Sequence, residues 1–179
     1  MANRRGQTEM IGLVVIVIML TLGMLFLAKF ALQEEPAKKI FTRKGLAYST
    51  MSAVMKTELE CYDSATSNDP DELKVQADLL EDCADVVRFN TAGDISCYGY
   101  DSSCDLLEEE ISILLNATLG EWHKEYLFSA EVLVGTEPLT VLEIDSGGCA
   151  TSTERDSSGL FPIYVTNVGL IESVLYICE

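Results

Sequence analysis

Positive charge is scarce in this chain of 179 residues: 12 lysines and arginines stand against 29 aspartates and glutamates, a net charge of −17. A protein that neutralises phosphates needs the opposite sign, so composition argues against nucleic acid as a partner. Histidine is scarcer still. His123 is the only one, and a single imidazole builds no metal constellation. The chain has no Cys-x-x-Cys pair, no Gly-x-x-x-x-Gly-Lys loop and no Gly-x-Gly-x-x-Gly turn. Neither zinc nor a nucleotide is therefore indicated, and the expected metal and cofactor complement is none. Internal repeats and long low-complexity tracts are also missing.

What is present is unevenly spread. From Met10 to Ala28 the chain carries no charge. About 19 residues at 1.5 Å rise nearly cover the hydrocarbon core of a bilayer. In lipid such a run must be helical, because its backbone polar groups have no other partner. About 140–150 residues remain beyond it, enough to close one core. Nearly all the acids lie in that remainder. They suit a soluble, mutually repelling surface, and also life in high salt.

All six cysteines, Cys61, Cys83, Cys97, Cys104, Cys149 and Cys178, lie beyond the apolar run. An even count in a small exported domain reads as disulfides. Four of them, Cys61, Cys83, Cys97 and Cys104, allow three pairings, between which spacing does not choose. Asn116-Ala117-Thr118 is an N-glycosylation acceptor pattern. Both features place the domain outside the cell. Charge counting conflicts: Arg4 and Arg5 precede the run, but Lys29, Lys38, Lys39, Arg43 and Lys44 follow it. The second cluster is expected against anionic head groups of the outer leaflet.

Arg4-Arg5-Gly6-Gln7, then Glu9, then the hydrophobic stretch resembles the class III, prepilin-type signal of archaeal type IV pilin-like proteins. The resemblance implies cleavage by a membrane prepilin peptidase between Gly6 and Gln7, with the helix retained. It implies like subunits as partners, in a filament or secretion apparatus. Glu9 would be the assembly residue, a lone acid offsetting a neighbour's α-amine in a dry bundle. It would stand third in the mature chain, where the family pattern places the acid fifth. The rival readings are an ordinary secretory signal, for which Ala28-Lys29-Phe30-Ala31 is a poor cleavage site, and an uncleaved signal anchor.

Pro36 should kink or interrupt the long helix. Beyond it Tyr48, Met51, Met55, Leu59 and Tyr62 recur at helical spacing. Asp69-Pro70-Asp71-Glu72 reads as a helix start. That helix is expected to reach Phe89, with Leu73, Ala77, Leu80, Ala84 and Val87 on one face. Another should run from Ser103 to Gly120, its C-cap. From Lys124 alternation predicts four strands, near 126–134, 139–144, 160–166 and 170–178, with Asn167-Val168-Gly169 as a hairpin turn. The expected fold is α+β: a long N-terminal helix (a transmembrane half and an amphipathic half), two further helices, then an antiparallel sheet of about four strands, disulfide-bonded. The divisions are a leader at 1–6, a transmembrane or filament-core helix at 7–30, a juxtamembrane kink at 31–38 and an extracellular domain at 39–179. Pilins carry a C-terminal disulfide loop, and the resemblance points to Cys149–Cys178.

Candidates for catalysis are thin. Asp145-Ser146-Gly147-Gly148 resembles the nucleophile motif of chymotrypsin-like proteases, and His123 is the only base on offer. The chain is too short for that family's paired barrels, so no enzyme is expected. Three acidic groups, Asp69/Asp71/Glu72, Glu81/Asp82/Asp85 and Glu108/Glu109/Glu110, match no calcium loop and read as solvated helix faces.

Overall fold

The computed structural model describes residues 4–31, 36–62, 69–134, 137–149 and 154–178; of 1–11, 30–31 and 36–39 it describes no side chain. Two compact units result, Met1–Lys39 and Ile40–Glu179. Helix α1 (Arg4–Ala31) contains the uncharged run. Helix α2 (Pro36–Lys56) begins at the proline. Pro36 thus opens a helix, where its missing N–H costs nothing. The expected kink at 31–38 otherwise falls on residues 32–35, outside those described.

In the second unit α2 buries Ala47, Met51, Val54 and Met55, a stripe spaced i, i+4, i+7, i+8. The helix does not continue through Leu59 to Tyr62 as the periodicity suggested. Glu58–Cys61 is strand β1, and it pairs antiparallel with β2 (Asp71–Lys74), from Glu58↔Lys74 to Cys61↔Asp71. Leu59 is buried all the same. Its place four residues from Met55 fits either a helix or the inward side of a strand.

The same ribbon overturns the helix start at Asp69-Pro70. Residues 71–74 find their backbone partners across the ladder. A π-helical turn (Val75–Leu79) then leads into α3 (Leu80–Phe89). The Lys74 N–H donates to Asp78 Oδ2 at 2.8 Å, so Asp78 supplies the side-chain acceptor expected of Asp69. Burial follows Val75, Leu79, Leu80, Cys83 and Ala84, while Ala77 is exposed.

Helix α4 (Ser103–Thr118) starts as expected, with Ser102 Oγ accepting the Asp105 N–H. It buries Leu106, Leu107, Ile111 and Leu115, and Leu119 follows. Gly120 is not its C-cap. A 3-10 turn (Gly120–Trp122) continues the chain, and the left-handed residue that ends it is His123, at φ 54°.

The C-terminal part forms one antiparallel sheet of five strands. β3 (Glu125–Val134), β4 (Glu137–Asp145), β6 (Phe161–Val165) and β7 (Gly169–Cys178) lie where alternation put them. The fifth, β5 (Arg155–Ser157), lies between the second and third of the expected strands, where none was expected. Strand order is β4-β3-β7, and β5 and β6 share the remaining edge of β7. Ser158 bridges the gap between them: its N–H donates to Leu175 O, and its Oγ accepts the Leu175 N–H. The edge of β7 is therefore covered along its length, which removes a template for strand addition.

One sheet face carries Tyr126, Phe128, Ala130 and Val132 with Ile171, Leu175 and Ile177. It joins the buried residues of α2, α3 and α4 in a single core. The opposite face holds a smaller cluster of Leu127, Cys149 and Cys178 beneath Tyr176. The α+β architecture, its apolar N-terminal helix and its antiparallel sheet match the expectation.

Candidate functional site

Two parts of the molecule bear on function: the apolar helix and the disulfide-braced unit. In α1 the segment Gly12–Lys29 is the only one among the described residues long and apolar enough to cross a membrane. Its side chains have no protein cover: Leu13, Ile16, Leu20, Met24 and Leu27 are each more than half exposed. Thr21 is the single hydroxyl in the run, and it donates to Ile18 O at 2.9 Å. That hydroxyl is satisfied within the helix, which is what a hydrocarbon environment demands. Arg4, Arg5, Gly6, Gln7 and Glu9 belong to the same helix by backbone, but their side chains are outside the described residues.

The cysteines pair as Cys61–Cys97, Cys83–Cys104 and Cys149–Cys178. The third is the pair implied by the family resemblance. It ties the end of β7 to the segment after β4, on the face of the sheet away from the helices. Cys61–Cys97 draws the 90–102 connection onto β1, and Cys83–Cys104 joins α3 to the first turn of α4, so both brace the helical side.

Asp82 organises that connection. It was expected on a solvated helix face but is buried, 7% exposed. One carboxylate oxygen accepts the Asp94 N–H at 2.6 Å and the Ile95 N–H at 3.3 Å, and the other accepts Ser103 Oγ at 2.6 Å. A carboxylate with three donors is well accommodated in a dry place. Gly93, at φ +77°, lets the loop pass this close, since a Cβ there would lie 2.7 Å from Asp82 Oδ2. Sequence reasoning missed this site. The available signal was an acid flanked by Leu80, Cys83 and Ala84 on an otherwise apolar face.

A second missed pair joins Arg43 of α2 to Asp156 of β5 at 2.8 Å, with side chains 12% and 9% exposed. It fixes the amphipathic helix to the covering edge strand. Tyr48, one turn and a residue further on, meets Phe161 of β6 with ring centroids 5.4 Å apart.

The protease-like residues are not brought together. Ser146 Oγ accepts the Tyr126 N–H at 2.8 Å and donates to Tyr126 O at 3.2 Å. His123 Nδ1 instead lies 3.4 Å from Gly120 O. Asp145 Oδ1 accepts the N–H groups of Gly147, Gly148 and Cys149. The motif is thus a hydrogen-bonded turn that delivers Cys149 to its disulfide. Trp122 is exposed.

The acids Asp105, Glu108, Glu109, Glu143 and Asp145 line an open groove of about 590 Å³. Among the described residues no three His, Cys, Asp or Glu side chains converge as ligands for a metal ion. Burial raises the Tyr100 phenol above its ordinary pKa, helped by the nearby Glu109 and Glu110 charges. Burial likewise raises that of Tyr126, whose hydroxyl donates to Asn116 Oδ1 at 3.0 Å.

Comparison with known proteins yields no matching family model, no matching curated protein and no matching solved structure.

Proposed function

We propose that this chain is a membrane-tethered surface protein of the archaeal type IV pilin class, a subunit of a filament or secretion apparatus. One observation carries the reading. In α1 an uncharged stretch whose side chains lack protein cover follows within a few residues of Arg4-Arg5-Gly6-Gln7. The basic residues hold the N-terminus inside until a prepilin peptidase removes residues 1–6. The retained helix then anchors the protein in the bilayer and, in the filament, packs against the same helix of like subunits. Gly12 and Gly23 present no side chain to such a neighbour, and helices in lipid associate through small residues. Three disulfides suit an oxidising exterior.

The mature N-terminal residue of the native protein is the test. Gln7 as first residue supports the proposal, and a chain that still begins with residues 1–6 sinks it. Gly6→Phe should block processing and leave a slower-migrating precursor.

The position of Glu9 favours a second reading. Third rather than fifth in the mature chain, it lies two residues from where the family's acid meets a neighbour's amine. A non-polymerising single-pass tether with a ligand- or partner-binding ectodomain has the same sequence features. Shearing cells separates the two, because only a filament subunit is released as high-mass assemblies.

A further inference from the structure

We infer that Asn116 carries an N-linked oligosaccharide, an inference that rests on the export of the domain proposed above. Asn116-Ala117-Thr118 fits the acceptor pattern, and the fold places it where a glycan is tolerated. Asn116 is exposed on the last turn of α4. Its Oδ1 accepts the Tyr126 hydroxyl, a bond that does not engage Nδ2, the atom that bonds to sugar. Nδ2 has no partner among the described residues. Ile113, one turn earlier, is 53% exposed, an apolar flank that a sugar would cover.

The folded geometry also dates the modification. Thr118 Oγ1 donates to Leu114 O at 2.8 Å and to Leu115 O at 3.2 Å. The acceptor hydroxyl is thus tied into the helix, and the tripeptide has no freedom to enter a transferase. The sugar is therefore added to the emerging chain, before α4 forms and before Cys104 pairs with Cys83. The donor is a polyprenyl-phosphate-linked oligosaccharide. Nδ2 forms a bond to the anomeric carbon, and the bond from that carbon to the phosphate oxygen breaks. The lipid phosphate leaves with the electron pair, and one Nδ2 proton passes to a base of the transferase.

Peptide mass spectrometry of the full-length protein from its native membranes provides the test. The Asn116 peptide should carry the added mass of an oligosaccharide. Asn116→Gln and Thr118→Ala should lose that mass entirely, and Thr118→Ser should keep most of it. Tyr126→Phe should keep full occupancy, because the acceptor is read before Tyr126 meets it. Intact disulfides in each variant report that the domain has folded. An unmodified Asn116 peptide in the parent protein overturns the inference. If its six cysteines are paired, the export reading survives alone; if they are reduced, both fail.

Discussion

At the scale of single residues, Asp82 and Gly93 show how few atoms hold the 90–102 connection. Asp82→Ala leaves two backbone N–H groups and the Ser103 hydroxyl without an acceptor. Unpaired buried donors cost about 1–3 kcal/mol each at most, and local relaxation recovers part. A loss of about 2–4 kcal/mol is expected in urea unfolding with the disulfides intact. Gly93→Ala should cost about 1–3 kcal/mol, because it adds a Cβ at positive φ against Asp82 Oδ2 and Val86 Cγ2. A Gly93→Ala protein as stable as its parent would contradict this account of the loop.

Tyr126 makes a pH prediction at the same scale. Its raised pKa means that the folded state keeps the phenol proton at a pH where the unfolded chain has lost it. Stability therefore holds below the ordinary tyrosine value, about 10, and declines as pH rises above it. Denaturation midpoints between about pH 9 and 11 should fall in the parent protein. In Tyr126→Phe the fall should be shallower.

At the scale of elements, α2 and β5 depend on each other. Arg43 and Asp156 form a nearly buried ion pair. Removing one member strands the other charge away from water, so Arg43→Ala should destabilise by about 3 kcal/mol. Replacing both, Arg43→Met with Asp156→Leu, should recover most of that loss, since a well-packed apolar pair is often no worse than a buried salt bridge. Equal stability of the single and double variants would mean that the pair does not hold α2 to the edge strand. The packing of Tyr48 on Phe161 is a second tie between the same helix and edge, and it is left intact in both variants.

For the whole molecule, the two units call for different solvents. Residues 40–179 have a main apolar core, a smaller cluster on the opposite sheet face, and three disulfides. α1 buries none of Leu13 to Leu27. A chain starting at Ile40 should therefore be a water-soluble, disulfide-bonded protein with cooperative unfolding, while the full chain should partition into detergent. Circular dichroism and phase partitioning of the two proteins check this. A shortened chain that aggregates or remains reduced would place part of the folding information before residue 40.

Legibility in the sequence tracked how local the governing physics is. The alternation in Tyr126–Val134 and Leu170–Cys178 was enough to place β3 and β7, because each inward residue pays toward burial on its own. The stretch 71–74 misled for the opposite reason. Asp69-Pro70-Asp71-Glu72 has good local helix chemistry, and a ladder to residues 58–61 outweighs it. β5, three residues long, has no periodicity to read, and its strand geometry comes entirely from β7.

By itself the sequence determined that residues 10–28 form a helix suited to lipid, that an acidic disulfide-bonded domain follows, and that this domain is helical first and β-rich later. These follow from hydrophobic runs, periodicity and cysteine count, which act within a few residues of chain. Only the tertiary structure decided which of the four helical-side cysteines pair, that Asp82 is buried while its neighbours Glu81 and Asp85 are not, and that Ser146 serves a turn. Those outcomes depend on groups 12 to 36 residues apart in sequence that meet only when the core closes, as in Asp82 and Asp94, separated by 12, Cys83–Cys104, separated by 21, and Cys61–Cys97, separated by 36.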